Sequence, residues 1–163
     1  MFDRPHHRRI ASVLEALDAP LLRACHCFFG GGTAIALSFG EYRESIDIDF
    51  MVSELAGYRD LRQRMTGAEG IQAIAGAGHR LVSLREVRAD QYGIRTVVEA
   101  DGVGIKFEIV LEGRIRFESP APGQQIGGVA TLAPVDMAAS KLLANSDRWH
   151  DDTRSAATSS ISR

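Results

Sequence analysis

Residues 28–52, FFGGGTAIALSFGEYRESIDIDFMV, constrain the chain more than any other stretch, because three consecutive glycines, a short apolar helix and an acidic strand follow one another without a break. Gly30, Gly31 and Gly32 have no Cβ and tolerate positive φ, so a phosphate can approach the backbone closely and be held by exposed N–H groups. Thr33 adds a hydroxyl. The following TAIALSF predicts a helix opened by the glycines, its N-terminus favouring an anion, and Gly40 stands where a left-handed helix end is expected. In SIDIDFMV, Ile46, Ile48, Phe50 and Val52 alternate with Asp47, Asp49 and Met51, a period of two that predicts a half-buried strand with both carboxylates on one face.

Residues two apart on a strand lie roughly 6.5 Å apart at Cα, close enough for both side chains to hold one Mg²⁺ or bracket a pair of ions. Hard oxygen ligands of this kind suit phosphoryl or nucleotidyl transfer, in which a metal neutralises triphosphate charge. An isolated Asp-x-Asp is more often an acidic solvated face. The glycine turn and helix directly before this one move the reading to nucleotide chemistry.

The run GGGTAIALSFGEYRESIDIDF resembles the signature of the minimal nucleotidyltransferases of the polymerase-β-like superfamily, and is most similar to the AbiEii/AbiGii-type toxin family. In that family a Gly-Gly-Ser/Thr motif precedes a strand with Asp-x-Asp, often with Arg or Ser ahead of it, as Arg43 and Ser45 stand here. The resemblance implies that Gly31, Gly32 and Thr33 cradle the triphosphate of an NTP, with Ser45 beside them. It implies that Asp47 and Asp49 bind metal, with two Mg²⁺ expected and a third carboxylate from a later strand. KLLANSDR, residues 141–148, resembles a family helix with a Lys-Leu pattern, which would put Lys141 near the phosphates as a point donor. The acidic Lys-Asp-x-x-Asp-like motif that follows in the family is missing. The resemblance therefore covers almost all of this chain but only the N-terminal part of a full member, the pattern of a truncated or degenerate copy. It further implies a tRNA 3′ end or a protein hydroxyl as acceptor, and an antitoxin as partner.

The third carboxylate is sought in GIKFEIVLE, where Ile105, Phe107, Ile109 and Leu111 make one face and Lys106, Glu108 and Val110 the other. Glu108 is the natural choice, as metal ligand or as the base that takes a proton from an attacking hydroxyl. Glu99, beside a turn, and Glu112, on the apolar parity, compete with it. Lys106 reads as a solvated edge residue.

At 163 residues and 45% apolar the chain can bury one core, so residues 1–150 are expected to form one α/β (α+β) domain, a mixed sheet flanked by helices. Residues 151–163, polar and small, read as a disordered tail. A net charge of −2 argues against strong nonspecific nucleic-acid binding, although a local basic patch can work on a near-neutral protein. The N-terminus has neither a signal-peptide nor a transit-peptide pattern, and the longest uncharged stretch is too short and glycine-rich to span a bilayer. Cys25 and Cys27 flank His26, but no second ligand pair follows at zinc spacing. Buried strand cysteines in a reducing cytoplasm are the better reading.

The remaining pattern predicts helices over 5–19, 54–65 and 134–147, and strands over 24–29, 80–87, 94–99 and 103–111, with an Asp101-Gly102 turn. Further extended pieces are expected at 113–118 and 126–132, and a loop over 66–78. The basic start of the first helix, His6 to Arg9, reads as a solvated, frayed end. Two other classes share the same residues: a nucleotide- or partner-binding module without turnover, and a metal-dependent phosphohydrolase or nuclease.

Overall fold

Strict alternation in the acidic strand fixes which way the sheet faces. In the computed structural model, which describes the backbone of residues 1–161 and the side chains of residues 1–154, β2 (Ile48–Val52) buries Ile48, Phe50 and Val52 completely. β1 (Cys27–Gly30) runs antiparallel to it, and β5 (Val103–Leu111) runs parallel on its other side. β5 follows the same rule, with Ile105, Phe107 and Ile109 buried and Lys106 and Glu108 on the opposite face. Phe29, Phe50 and Phe107 form a row of tilted rings across these three strands, with 5.6 Å between successive centroids. A hairpin through Asp101 and Gly102 joins β4 (Gly93–Ala100) to β5, and β3 (Arg88–Ala89) closes the edge. The five-stranded mixed sheet has the order β1-β2-β5-β4-β3.

Helices complete the α+β architecture. α1 (Pro5–Ala16) lies on β4, α3 (Gly31–Ser38) on β1 and β2, and α4 (Leu55–Met65) on β2. α5 (Pro134–Ile161) packs its first turns against α3, after a two-stranded ribbon of β6 (Gln125–Ile126) and β7 (Val129–Ala130). α3 ends as its glycine foretells: Gly40 has φ +73° and the Glu41 N–H reaches back to the Ala36 carbonyl at 2.8 Å.

Several expectations need correction. The first helix stops at Ala16 and a second, α2 (Ala19–Ala24), begins, because Asp18 caps it through Leu21 N–H at 3.0 Å and Pro20 interrupts the hydrogen-bond ladder. The strand expected from residue 24 therefore starts at Cys27, after His26 turns the chain with φ +52°. Residues 80–87 form no regular strand. They run beside β4 through the bonds Leu84 N–H to Val97 O and Glu99 N–H to Val82 O, and only Arg88–Ala89 pairs as β3. The expected loop at 66–78 contains a 3₁₀ turn, Gly70–Ile74, that buries Ile71 and Ile74. Residues 113–118 are not a strand, and of 126–132 only short pieces are. The last helix runs well past 147, through the residues read as a tail as far as Ile161, since nothing after Pro134 breaks it: neither glycine nor proline occurs. The final two residues of that tail lie outside the described residues.

Candidate functional site

Parallel pairing of β2 with β5 places Asp49 directly beside Glu108. Asp47 precedes the strand on the same parity. Across the other edge, Gly30 pairs with Asp49, and the chain then turns into α3 through Gly31, whose φ is +72°. A Cβ on Gly31 would lie 2.8 Å from Asp49 Oδ2, so the carboxylate rests against the opening of the helix and only glycine fits. A Cβ on Gly32 would meet Arg43 Nη2 at 2.5 Å, with Ser45 Oγ at 3.7 Å. Gly31, Gly32, Arg43, Ser45, Asp47 and Asp49 thus share one small volume at the α3 N-terminus, which attracts anions.

The electrostatics are uncompensated. Burial, then the neighbouring Glu108 and Asp47 charges, push the Asp49 carboxyl up to about 6, and Lys106 pulls the other way. Among the described residues neither the Asp47 nor the Asp49 carboxylate has a hydrogen bond or an ion pair, and no three His, Cys, Asp or Glu side chains converge tightly enough to chelate an ion by themselves. Glu108 accepts from Arg95 Nε at 3.0 Å, and Arg95 also reaches Asp90 Oδ2 at 3.2 Å. The competing acids are otherwise engaged: Glu99 accepts from Gly102 N–H in the turn, and Glu112 is gripped by Arg114.

Thr33 is a support rather than an open hydroxyl. It is 1% exposed, donates to the Asp47 carbonyl at 2.5 Å, and receives Ser45 Oγ at 2.7 Å. What it can offer a phosphate is its backbone N–H. Lys141 is exposed on α5 and lines a second, largely apolar cavity of about 540 Å³ with Ser38 and Phe39, toward the far end of α3 from the glycines. The structure does not bring it to the aspartates.

Sequence reasoning missed a large cleft, about 950 Å³, which opens beside Asp47. Arg85, Arg88 and Lys106 line it and, among the described residues, their side chains form no ion pair or hydrogen bond, while Arg95 is taken up by its acids. Lys106 could have been found from its parity with Glu108; the two arginines belong to a segment with no regular pattern. His7, fully buried against the loop before β2, was also missed.

A glycine-opened helix on a mixed sheet, with two unpaired aspartates at its mouth, defines a protein of the nucleotidyltransferase class. The chain belongs to the family described as nucleotidyl transferase AbiEii toxin, type IV TA system, whose model matches residues 13–158. No curated protein matches it. Among solved structures it is similar to a Helicobacter pylori protein assigned as a nucleotidyltransferase, at 17% identity and a TM-score of 0.45 over 84% of this chain. It is also similar to JHP933 from Helicobacter pylori, at 15% identity and a TM-score of 0.46 over 87%. The chain spans 56% and 58% of those two chains. No helix among the described residues is long and apolar enough to cross a membrane.

Proposed function

We propose that the chain moves a nucleoside monophosphate from an NTP to an acceptor hydroxyl, as the toxin of a toxin–antitoxin pair with an antitoxin protein as its partner in the cytoplasm. The observation that carries this reading is the unpaired Asp47/Asp49 couple against the Gly31 turn: a half-buried carboxylate left without a donor and pushed up by partial burial and its acidic neighbours is a site in need of a cation. Two carboxylates with substrate oxygens and water are a usual Mg²⁺ environment, so the residues present fit the metal, with Glu108 as a third ligand or as base. Bound Mg²⁺, two ions in this class, would draw charge from the triphosphate and stabilise the attacking and leaving oxygens.

The chain's own residues divide the remaining work. Backbone N–H groups at Gly31, Gly32 and Thr33, with the Arg43 guanidinium and Ser45, hold and orient the triphosphate. The acceptor oxygen attacks the α-phosphorus in line, the bond to the β-phosphate oxygen breaks, and pyrophosphate leaves. In this reading Glu108 takes the hydroxyl proton once Arg95 gives way. Lys141 is the most remote member of the set. The three unpaired cations of the large cleft favour an RNA end, such as a tRNA 3′ terminus, over a protein acceptor. One observation favours a second reading, a nucleotide-binding module without turnover: the Arg95 ion pair occupies the carboxylate that transfer needs.

Incubation with each α-³²P NTP and Mg²⁺, offering total RNA and total protein, separates these readings. RNA labelled by the wild type and not by Asp47→Asn supports transfer; label on protein moves the acceptor. NTP binding without label in any combination supports the binding module, and free NMP without labelled acceptor points to hydrolysis.

A further inference from the structure

Helix α1 grips the nucleotide side of the molecule through side chains that the proposed chemistry does not use. The buried His7 ring has Nδ1 2.8 Å from Glu41 Oε1 and Nε2 3.0 Å from the backbone nitrogen of Ser45. A backbone N–H can only donate, so Nε2 is the acceptor, and the ring carries its proton on Nδ1, donated to Glu41. Glu41 also accepts the N–H groups of Asp3 at 2.8 Å and Arg4 at 3.1 Å, and its carbonyl receives the Arg4 guanidinium. Arg4, the N-cap of α1, supplies no side-chain cap of its own, so Glu41 caps the helix from another part of the chain. One residue earlier on α1 than His7, His6 Nε2 donates to the Ile46 carbonyl at 2.9 Å. Segment 41–46 is therefore fastened at both ends, and it is the segment that carries Arg43 and Ser45 over Gly32.

We propose that His7 is a positioning residue for nucleotide binding: the relay from the Glu41 carboxylate through the His7 ring to the Ser45 amide sets segment 41–46 so that Arg43 and Ser45 face the phosphate turn. This rests on the nucleotide reading above. The two ring nitrogens do different jobs, and only the Nε2 contact touches the phosphate side. A merely structural histidine would not distinguish between them.

Two near-isosteric variants make that distinction. In His7→Gln the amide oxygen reaches the place of Nε2 and keeps an acceptor for the Ser45 N–H; in His7→Asn the amide nitrogen stands near Nδ1 and keeps only the donor to Glu41. Equilibrium dialysis with each of the four Mg·NTPs is expected to show binding weakened about tenfold in His7→Asn and within about twofold of wild type in His7→Gln, the scale of one net hydrogen bond. Without nucleotide, hydrogen exchange at the Ser45 amide should quicken in His7→Asn alone. Equal weakening in both variants, or an effect that follows melting temperature and not the Ser45 amide, overturns the positioning role. A wild type that binds no NTP sinks the nucleotide reading and the phosphate role together. Wild-type binding with no difference between the variants sinks only the role of His7.

Discussion

Two groups of acids stand near strand ends of the same sheet and are treated in opposite ways. Glu112, just past β5, is met by Arg114 through two guanidinium bonds and a backbone N–H, and Arg114 also clasps Asp147 of α5. Those donors hold the Glu112 and Asp147 carboxyls below the usual carboxylate range. Asp49, the second residue of β2 and the partner of Glu108 on β5, receives no donor, and burial with two acidic neighbours drives it up to about 6. The chain had arginine available for both. It uses arginine to pin α5 to the sheet at one group and leaves the other open, which is how a ligand site differs from a structural one.

The largest expected effect that would break this contrast is at Asp49. Asp49→Asn should lower nucleotidyl transfer by at least about a thousandfold, the usual scale for loss of a metal ligand at the reacting centre, read as label on the acceptor. The same change should not cost stability. The folded pKa of about 6 lies above the ordinary aspartate value of 3.8, so the stabilising, protonated form is complete below about pH 4 and is lost as pH rises through 6. Without divalent cation, the wild type should gain about 2–3 kcal/mol of stability between pH 7 and pH 4 from this group. Urea melts of Asp49→Asn should lack that gain; an unchanged pH slope would remove the case for an uncompensated site.

Next in size is Gly31→Ala. A side chain at φ +72° and 2.8 Å from Asp49 Oδ2 should cost about 2–3 kcal/mol in denaturant melts and lose NTP binding as well. Arg114→Ala should cost less, about 1–2 kcal/mol, because half-exposed ion pairs are weak and most of the loss is the Glu112 carboxylate left without donors. It should leave NTP binding unaltered, which is the sharpest statement of the division between the two groups. Lys141→Ala is the smallest: less than about threefold in transfer, given its place at the far end of α3.

The features that were legible in the sequence are those written in local patterns. Alternation at 48–52 and 103–111 told which faces Asp49 and Glu108 occupy, although Ile46, counted in the same alternation, lies exposed ahead of β2, and Gly40 told where α3 ends, because period and chirality are properties of a few adjacent residues. Register was not legible. Nothing in the order of residues says that Ile48 stands opposite Phe107, nor that Arg95 reaches across to Glu108, since both depend on how distant strands align. The same reason hid His7: a single buried histidine in a basic run reads as a frayed helix start until the loop it binds is brought to it. Thr33 misled in the other direction, for its hydroxyl belongs to the scaffold beneath Asp47.

The β2–β5 pairing also bears on how the protein reaches its folded state. Its second pair joins Asp49 to Glu108, with the whole of α4, β3 and β4 between them in the chain. Such a long-range parallel contact forms slowly, after the β4–β5 hairpin, because a large loop must close before the contact rewards it. That closure sets the like charges of Asp49 and Glu108 side by side. Refolding should therefore run faster at mildly acidic pH than at neutral pH, with the rate-limiting assembly of the sheet and the assembly of the site being one event.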